Sequence, residues 1–213
     1  MQFVAKGRYQ KGSSKAIIEY VFKLCNASIG NCHSGWFTSE FPRRIINVSD
    51  FCIDRYEYPN IQGRNPSYGV SWTQANRMCI AQGKRLCTEN EWEKACGGSR
   101  GDIWTFGDKY NETACNVATR LGAEPSGIRP KCVSPYGAYD MSGNLSEWTS
   151  STQAVSYASS LDKSARLVKG GSWKDGPLFT RCAFTDSFEP DTAYNNMGFR
   201  CCWPATVEAK KSR

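Results

Sequence analysis

Residues 136–148 read Tyr136-Gly137-Ala138-Tyr139-Asp140-Met141-Ser142-Gly143-Asn144-Leu145-Ser146-Glu147-Trp148. Two carboxylates, Asp140 and Glu147, bracket a Gly143-Asn144 turn and are themselves bracketed by aromatic residues. A chain holds hard oxygen ligands on a short loop beside a packed core in this way. Donors of this kind suit calcium better than zinc. The same residues also describe a surface turn with solvated acids, so the flanking segments decide between the two.

Downstream of the loop, Ser150 to Lys163 is small and polar and reads as surface. Arg166 to Trp173 reads as a strand ending in Gly170-Gly171-Ser172-Trp173, and Arg181 to Phe184 and Gly198 to Cys202 read as the last two strands. Upstream, Gly101 to Pro135 is rich in Gly, Pro and Asn and reads as loop, with Cys115 and Cys132 as a staple. Two capping boxes precede it. Ser71 with Gln74 opens a helix carrying Ala75, Met78 and Cys79, and Thr88 with Glu91 opens a second carrying Trp92, Ala95 and Cys96. Arg44 to Tyr58 alternates through Ile46, Val48, Phe51, Ile53 and Tyr56 as one strand stopped by Pro59. Met1 to Gly12 suits an opening strand and turn. Between them, 13–42 reads as an insertion: Ile17 to Leu24 fits either a strand or a short helix, and Cys25 and Cys32 flank a turn that a local disulfide would close. Few helices and many short strands among loops give an α+β class within one domain, 1–213, with 204–213 as a basic C-terminal tail.

The 213 residues are 40% hydrophobic and 22% charged, an ordinary globular balance, and the net charge of +7 is spread along the chain outside that tail. A diffuse basic excess argues for solubility rather than nucleic-acid binding. Eleven cysteines beside one histidine, His33, favour disulfides over a zinc site, because no Cys-x-x-Cys pair is present and the adjacent Cys201 and Cys202 would point to opposite faces of a strand. Disulfides place the chain in an oxidising compartment: periplasmic, cell-surface or secreted. Met1 opens no signal peptide and there is no run of about twenty apolar residues, so the sequence reads as a trimmed chain without a transmembrane segment.

Six blocks in order carry a resemblance: Phe51 to Glu57, Val70-Ser71-Trp72, Gly83 to Leu86 with Thr88 to Trp92, Tyr136 to Asn144 with Glu147-Trp148, Gly170 to Trp173, and Gly198-Phe199-Arg200. The chain resembles the formylglycine-generating enzyme, or sulfatase-modifying factor, superfamily over nearly its whole length. The resemblance implies a C-type-lectin-like fold with low regular secondary structure, two main helices and the chain ends joined in a small sheet. It implies a structural calcium held by Asp140 and Glu147 side chains and the Gly143 and Leu145 carbonyls. A second calcium site is matched only by Asn116 and Val117, because the loop supplying its other ligands is shorter here. It also implies disulfides Cys79–Cys201 and Cys96–Cys182, leaving Cys52, Cys87 and Cys202 unassigned.

Enzymes of the superfamily oxidise a substrate cysteine with copper held by two cysteines just after Gly-Gly-Ser-Trp, whereas this chain runs Lys174 to Arg181 there without one. Thiolates are the ligands that a soft Cu(I) centre needs, so no copper is expected. Nor is iron: members that use it hold it with a histidine cluster, and one histidine cannot supply that. Two functions follow. The first is a non-catalytic, calcium-stabilised recognition or scaffold module acting outside the cytoplasm on a protein or other ligand, alone or as a subunit of a larger assembly. Its ligand surface lies on 174–197 and includes Lys174, Asp175, Phe179, Phe188, Glu189 and Tyr194; packing in the core accounts for two of the four aromatics Phe179, Phe184, Phe188 and Tyr194. The alternative is a periplasmic oxidase working without copper-binding cysteines, resembling the maturation oxidase of pyoverdine siderophores, with an acid from Asp186, Glu189 or Asp191.

Overall fold

The computed structural model describes residues 1–37, 40–153 and 165–204. In chain order these form β1 (Gln2–Val4), β2 (Gly7–Lys11), α1 (Lys15–Ile29), a 3-10 turn at Ser34–Phe37, β3 (Arg44–Val48), β4 (Phe51–Ile53), α2 (Trp72–Ala81), β5 (Arg85–Leu86), α3 (Glu89–Gly97), β6 (Ser146–Gln153), β7 (Ala165–Lys169), β8 (Thr185–Phe188), β9 (Met197–Phe199) and β10 (Cys201–Pro204). One sheet has the order β1-β4-β10-β5, a second β8-β7-β6-β9, and β2 pairs with β3 as a ribbon. The first and last strands therefore flank β4, with Gln2 opposite Ile53 on one side and Cys202 opposite the same residue on the other.

Both capping boxes form. The Ser71 hydroxyl accepts from the Gln74 amide and the Gln74 side chain returns to Ser71, and Thr88 and Glu91 do the same at α3. Each satisfies two backbone donors that the first helical turn leaves unpaired. Helix α2 packs Ala75 and Cys79 against Trp148, Val168 and Phe199, while α3 packs Trp92, Ala95 and Cys96 against Phe51, Ile53 and Met141.

Several expectations need correction. Among the described residues there are three helices, not two: the 13–42 segment supplies α1, because Ser14 caps it through the Ile17 amide and Ile17, Val21, Leu24 and Cys25 recur on one face at helical spacing. That face packs with Phe37 on Ile103, Trp104 and Leu178. Met1 to Gly12 holds two strands, not one. Arg44 to Tyr58 is likewise divided, between β3 in the ribbon and β4 in the first sheet. Residues 181–184 are turn, and the strand begins at Thr185. Gly198 to Cys202 is shared by β9 and β10, which belong to different sheets. Residues 150–153, read as polar surface, continue β6, while 154–164 and the basic tail from 205 lie outside the described residues.

Ten of the eleven cysteines pair: Cys25–Cys32, Cys79–Cys201, Cys87–Cys202, Cys96–Cys182 and Cys115–Cys132. Cys201 and Cys202 leave opposite faces of β10, one towards α2 and the other towards the end of β5. Cys52 on β4 is the remaining thiol, and it is buried.

Candidate functional site

The loop at 136–148 is held by backbone that only some residues tolerate. Asp140 and Asn144 sit at φ 58°, and Gly143 sits at φ 88° where a Cβ would lie 2.4 Å from the Asn116 carbonyl oxygen. This is a left-handed, crowded position open only to glycine. Asn144 is the clasp. Its Nδ2 donates to Glu57 Oε2 at 2.6 Å, and its Oδ1 accepts from Asn116 Nδ2 at 2.9 Å and from the Glu124 amide at 2.8 Å.

Glu57, Glu147 and Arg200 are all fully buried, and Asp140 is 5% exposed. Arg200 Nε donates to both Glu147 oxygens, Arg200 Nη2 donates to Oε1, and the Trp92 indole donates to Oε2 at 2.7 Å. Glu57 accepts from Ser126, Asn144 and the Leu145 amide. Asp140 Oδ2 accepts from the Gly127 amide at 2.6 Å. Burial, and then the neighbouring Asp140 and Glu147, hold the Glu57 carboxyl well above the ordinary glutamate range. Burial likewise pushes Asp140 up to about 6, against the pull of the Gly127 amide and Arg200.

Three buried acids against one guanidinium leave two negative charges when all are ionised, so a divalent cation would bring the cluster to neutrality. On charge and donor chemistry, calcium fits. Glu147 is the poorest of the four expected ligands, because a carboxylate has about four lone-pair sites and Arg200 and Trp92 already use them. Asp140, by contrast, has only Oδ2 committed, to the Gly127 amide. Among the described residues no group of three or more His, Cys, Asp or Glu side chains converges as a metal cage. Asn116 of the second expected site holds Asn144, donates to the Gly122 carbonyl and accepts from Thr119, so its amide serves the loop. Glu57 is a central member that the sequence reading did not single out. Its place at the end of the block Phe51 to Glu57, within the strand pattern that runs to Tyr58, was the available signal.

The second feature is a cavity of about 260 Å³ on the sheet β8-β7-β6-β9, lined among others by Asp175, Phe179, Phe184, Asp186, Phe188 and Tyr194. The structure thus joins four of the six residues expected on a ligand surface. Lys174 and Glu189 are not among its lining: Lys174 Nζ turns to Asn195 Oδ1 at 3.0 Å and lies over the Trp173 ring. Phe184 and Asp186 complete it instead. Phe184, Asp186 and Phe188 alternate along the chain into β8 and so share one side of the strand. Two of the four aromatics also pack inward, Phe179 on the α1 core and Phe188 on the Trp148 core. The 13–42 segment backs the cavity wall: Trp36 contacts Phe179 with ring centroids 5.6 Å apart, and buried Glu40 accepts from Arg181 at 2.6 and 2.7 Å. A larger cavity, about 970 Å³, is lined by Arg100, Asp102, Lys109, Glu112 and Lys131 among others and collects none of the expected site residues.

A mixed α+β fold with scattered short strands, disulfides that tie α2 and the end of β5 to the final strand, and this buried acid loop define a C-type-lectin-like domain of the formylglycine-generating type. The chain belongs to the family described as the sulfatase-modifying factor enzyme 1-like domain, which matches residues 2–205. It is 36% identical over 155 residues to the inactive C-alpha-formylglycine-generating enzyme 2 of Bos taurus, covering 64% of this chain and 49% of that protein. To the formylglycine-generating enzyme of Bos taurus it is 32% identical over 162 residues, covering 64% and 43%. The chain therefore spans about half the length of the curated relatives it matches. Among solved structures, PvdO from Pseudomonas aeruginosa superposes with a TM-score of 0.71 at 17% identity, covering 95% of this chain and 93% of that one. Treponema denticola variable protein 1 does so at 0.69 and 16%, covering 96% and 95%. At these identities the structures share the fold alone. Five disulfides accord with an oxidising compartment, and among the described residues no helix is long and apolar enough to cross a membrane.

Proposed function

We propose that this chain is a non-catalytic recognition or scaffold module of the sulfatase-modifying factor superfamily, working outside the cytoplasm and stabilised by calcium. The observation that carries the reading is the cysteine pairing. Ten of eleven thiols are consumed in disulfides, including Cys182, and the remaining Cys52 lies on β4, in a different sheet from the one that carries the cavity. A copper site of two thiolates therefore has no ligands, and a single histidine cannot found an iron site. The bovine relative whose name marks it as inactive is in keeping with a member of this family that does no formylglycine chemistry. The oxidase reading gains nothing from the likeness to PvdO, which is one of fold.

In this reading the loop 174–197 presents the cavity and its exposed rim, Tyr194 at 53% exposure among them, to a protein or other extracytoplasmic ligand. Incubated with copper and a peptide bearing a sulfatase-type cysteine motif, the protein yields no aldehyde; aldehyde above a metal-free control overturns the assignment. A photoreactive side chain at Tyr194, expressed in the native compartment, captures a discrete partner, and the same group at exposed Ile45 on β3 does not. Equal capture at both positions, or none at Tyr194, removes the recognition surface.

A further inference from the structure

The chemistry of the cavity specifies its ligand more narrowly, on the footing of the recognition reading above. Its four aromatic rings form two edge-to-face pairs. Phe179 and Phe184 have centroids 5.2 Å apart at 74°, and Phe188 and Tyr194 are 5.8 Å apart at 81°. Two carboxylates, Asp175 and Asp186, stand among them, and no Lys, Arg or His side chain lines the space. On a chain of net charge +7 this is a local reversal of sign.

The basic groups nearby in sequence are engaged elsewhere. Arg181 is bound by Glu40 and Lys169 donates to Glu93 at 3.0 Å, while Lys174 stays at the rim, donating to Asn195 at 3.0 Å and to the lining residue Asn196 at 3.4 Å. The two acids are fixed in place: Asp175 Oδ2 accepts from the Ser172 amide and hydroxyl at 2.8 and 2.6 Å, and Asp186 Oδ1 accepts from the Ser187 amide at 2.8 Å. Partial burial, and then Asp175, raise the Asp186 carboxyl above its ordinary range against the pull of the Ser187 amide, as a pair of acids near one small space without a cation would.

Aromatic faces carry negative charge density and attract a cation, and a carboxylate beside them adds a direct partner. A volume of about 260 Å³ is below the span of a typical small-molecule site, roughly 300–1,000 Å³, and suits one side chain or one small head group. We propose that the cavity bounded by Asp175, Phe179, Phe184, Asp186, Phe188 and Tyr194 binds an alkylammonium group, from a lysine side chain of a partner protein or from a free quaternary amine. The carboxylates accept hydrogen bonds from a primary ammonium, which has three N–H donors, and attract a quaternary one through charge alone, alongside the rings.

Titration of the full chain with N-acetyl-lysinamide, its uncharged norleucine isostere and choline, followed by calorimetry and by the NMR signals of Phe188 and Tyr194, tests this. The lysine probe is expected to bind at least roughly tenfold more tightly than norleucine, a difference of about 1.4 kcal/mol. Lysine ahead of choline assigns a protein side chain as the source, and choline ahead of lysine assigns a free quaternary amine. Asp186→Asn, at an exposed position, weakens both, and Tyr194→Ala, also exposed, weakens choline most. Equal binding of norleucine, an Asp186→Asn protein that binds as the parent does, or no ammonium bound up to about 10 mM overturns the inference. If that happens while the Tyr194 photo-adduct still forms, only the ligand class falls. Loss of the adduct as well removes the recognition reading with it.

Discussion

Arg200 and Glu147 meet inside the protein with neither exposed to solvent: Arg200 Nη2 donates to Glu147 Oε1 at 2.7 Å, while Nε reaches both oxygens at 2.9 and 2.8 Å. Arg200 is the residue between β9 and β10, where the chain passes from one sheet to the other, and Glu147 lies on β6 beside β9. The guanidinium also donates to the carbonyls of Asp54 and Tyr139, so one side chain joins both sheets to the acid loop.

Breaking a buried pair from one side leaves an uncompensated charge, which costs about 3–5 kcal/mol. Arg200→Met is therefore expected to destabilise by about that amount in urea unfolding, and Glu147→Leu on top of it is expected to restore part of the loss. Strictly additive losses would show that the two side chains do not act as a unit.

Non-reducing peptide mapping is expected to recover Cys79 linked to Cys201, Cys96 to Cys182 and Cys87 to Cys202. The first closes 122 residues and the second 86, and long loops such as these typically contribute roughly 2–4 kcal/mol each. Burial raises the Cys52 thiol above its ordinary range, so alkylation at pH 8 is expected only after unfolding. Rapid labelling of the native protein at Cys52, or recovery of both members of a pair as thiols, would contradict this framework.

Calcium is expected to stabilise the acid loop by offsetting the surplus charge of Glu57, Asp140 and Glu147. A ligand present at a hundred times its Kd adds about 2.7 kcal/mol. Chelation should lower Tm, calcium should restore it, and magnesium should do so less, since it needs a near-ideal octahedron and gives up its waters reluctantly. Asp140→Asn should remove most of that response. A Tm indifferent to chelator, with no calcium retained by the untreated protein, would reduce the loop to a turn.

The Arg85–Glu91 pair sets an acid limit. Burial would raise the Glu91 carboxyl, yet the Arg85 guanidinium, bonded to both oxygens at 2.6 and 2.7 Å, and the Thr88 amide hold it below the usual glutamate value of 4.5. A depressed pKa favours the folded state above the unfolded value, and that contribution is lost as pH falls through the lower folded value. Glu91→Gln should lower Tm at pH 7 and flatten its fall below about pH 4.5. An unchanged Tm profile below that point would mean that the pair carries no linkage.

Much of the local architecture was legible in the residues themselves. The boxes Ser71/Gln74 and Thr88/Glu91 announce α2 and α3 because a cap and its partner lie within one helical turn. Strong alternation marked Arg44 to Tyr58 as extended, and the adjacent cysteines of β10 could only face opposite ways. Helix α1 stayed ambiguous because an apolar run such as Ile17 to Leu24 serves a strand or a helix until its packing partners, Ile103, Trp104 and Leu178, are known.

Beyond the two disulfides and the joined chain ends that the family resemblance implied, relations between residues far apart in the chain were decided by the tertiary structure alone. No local pattern marks Glu57 as the partner of Asn144, 87 positions on, or seats Arg200 against Glu147. Nor does spacing tell which neighbours Cys87 and Cys202 have, or that the turn at 181–184 delivers Phe184 and Asp186 to the aromatic wall with Phe188. Caps, turns and alternation follow from forces acting over a few residues. Burying a charge or assembling a pocket depends on which distant side chains fill the space around it, and only the folded packing settles that.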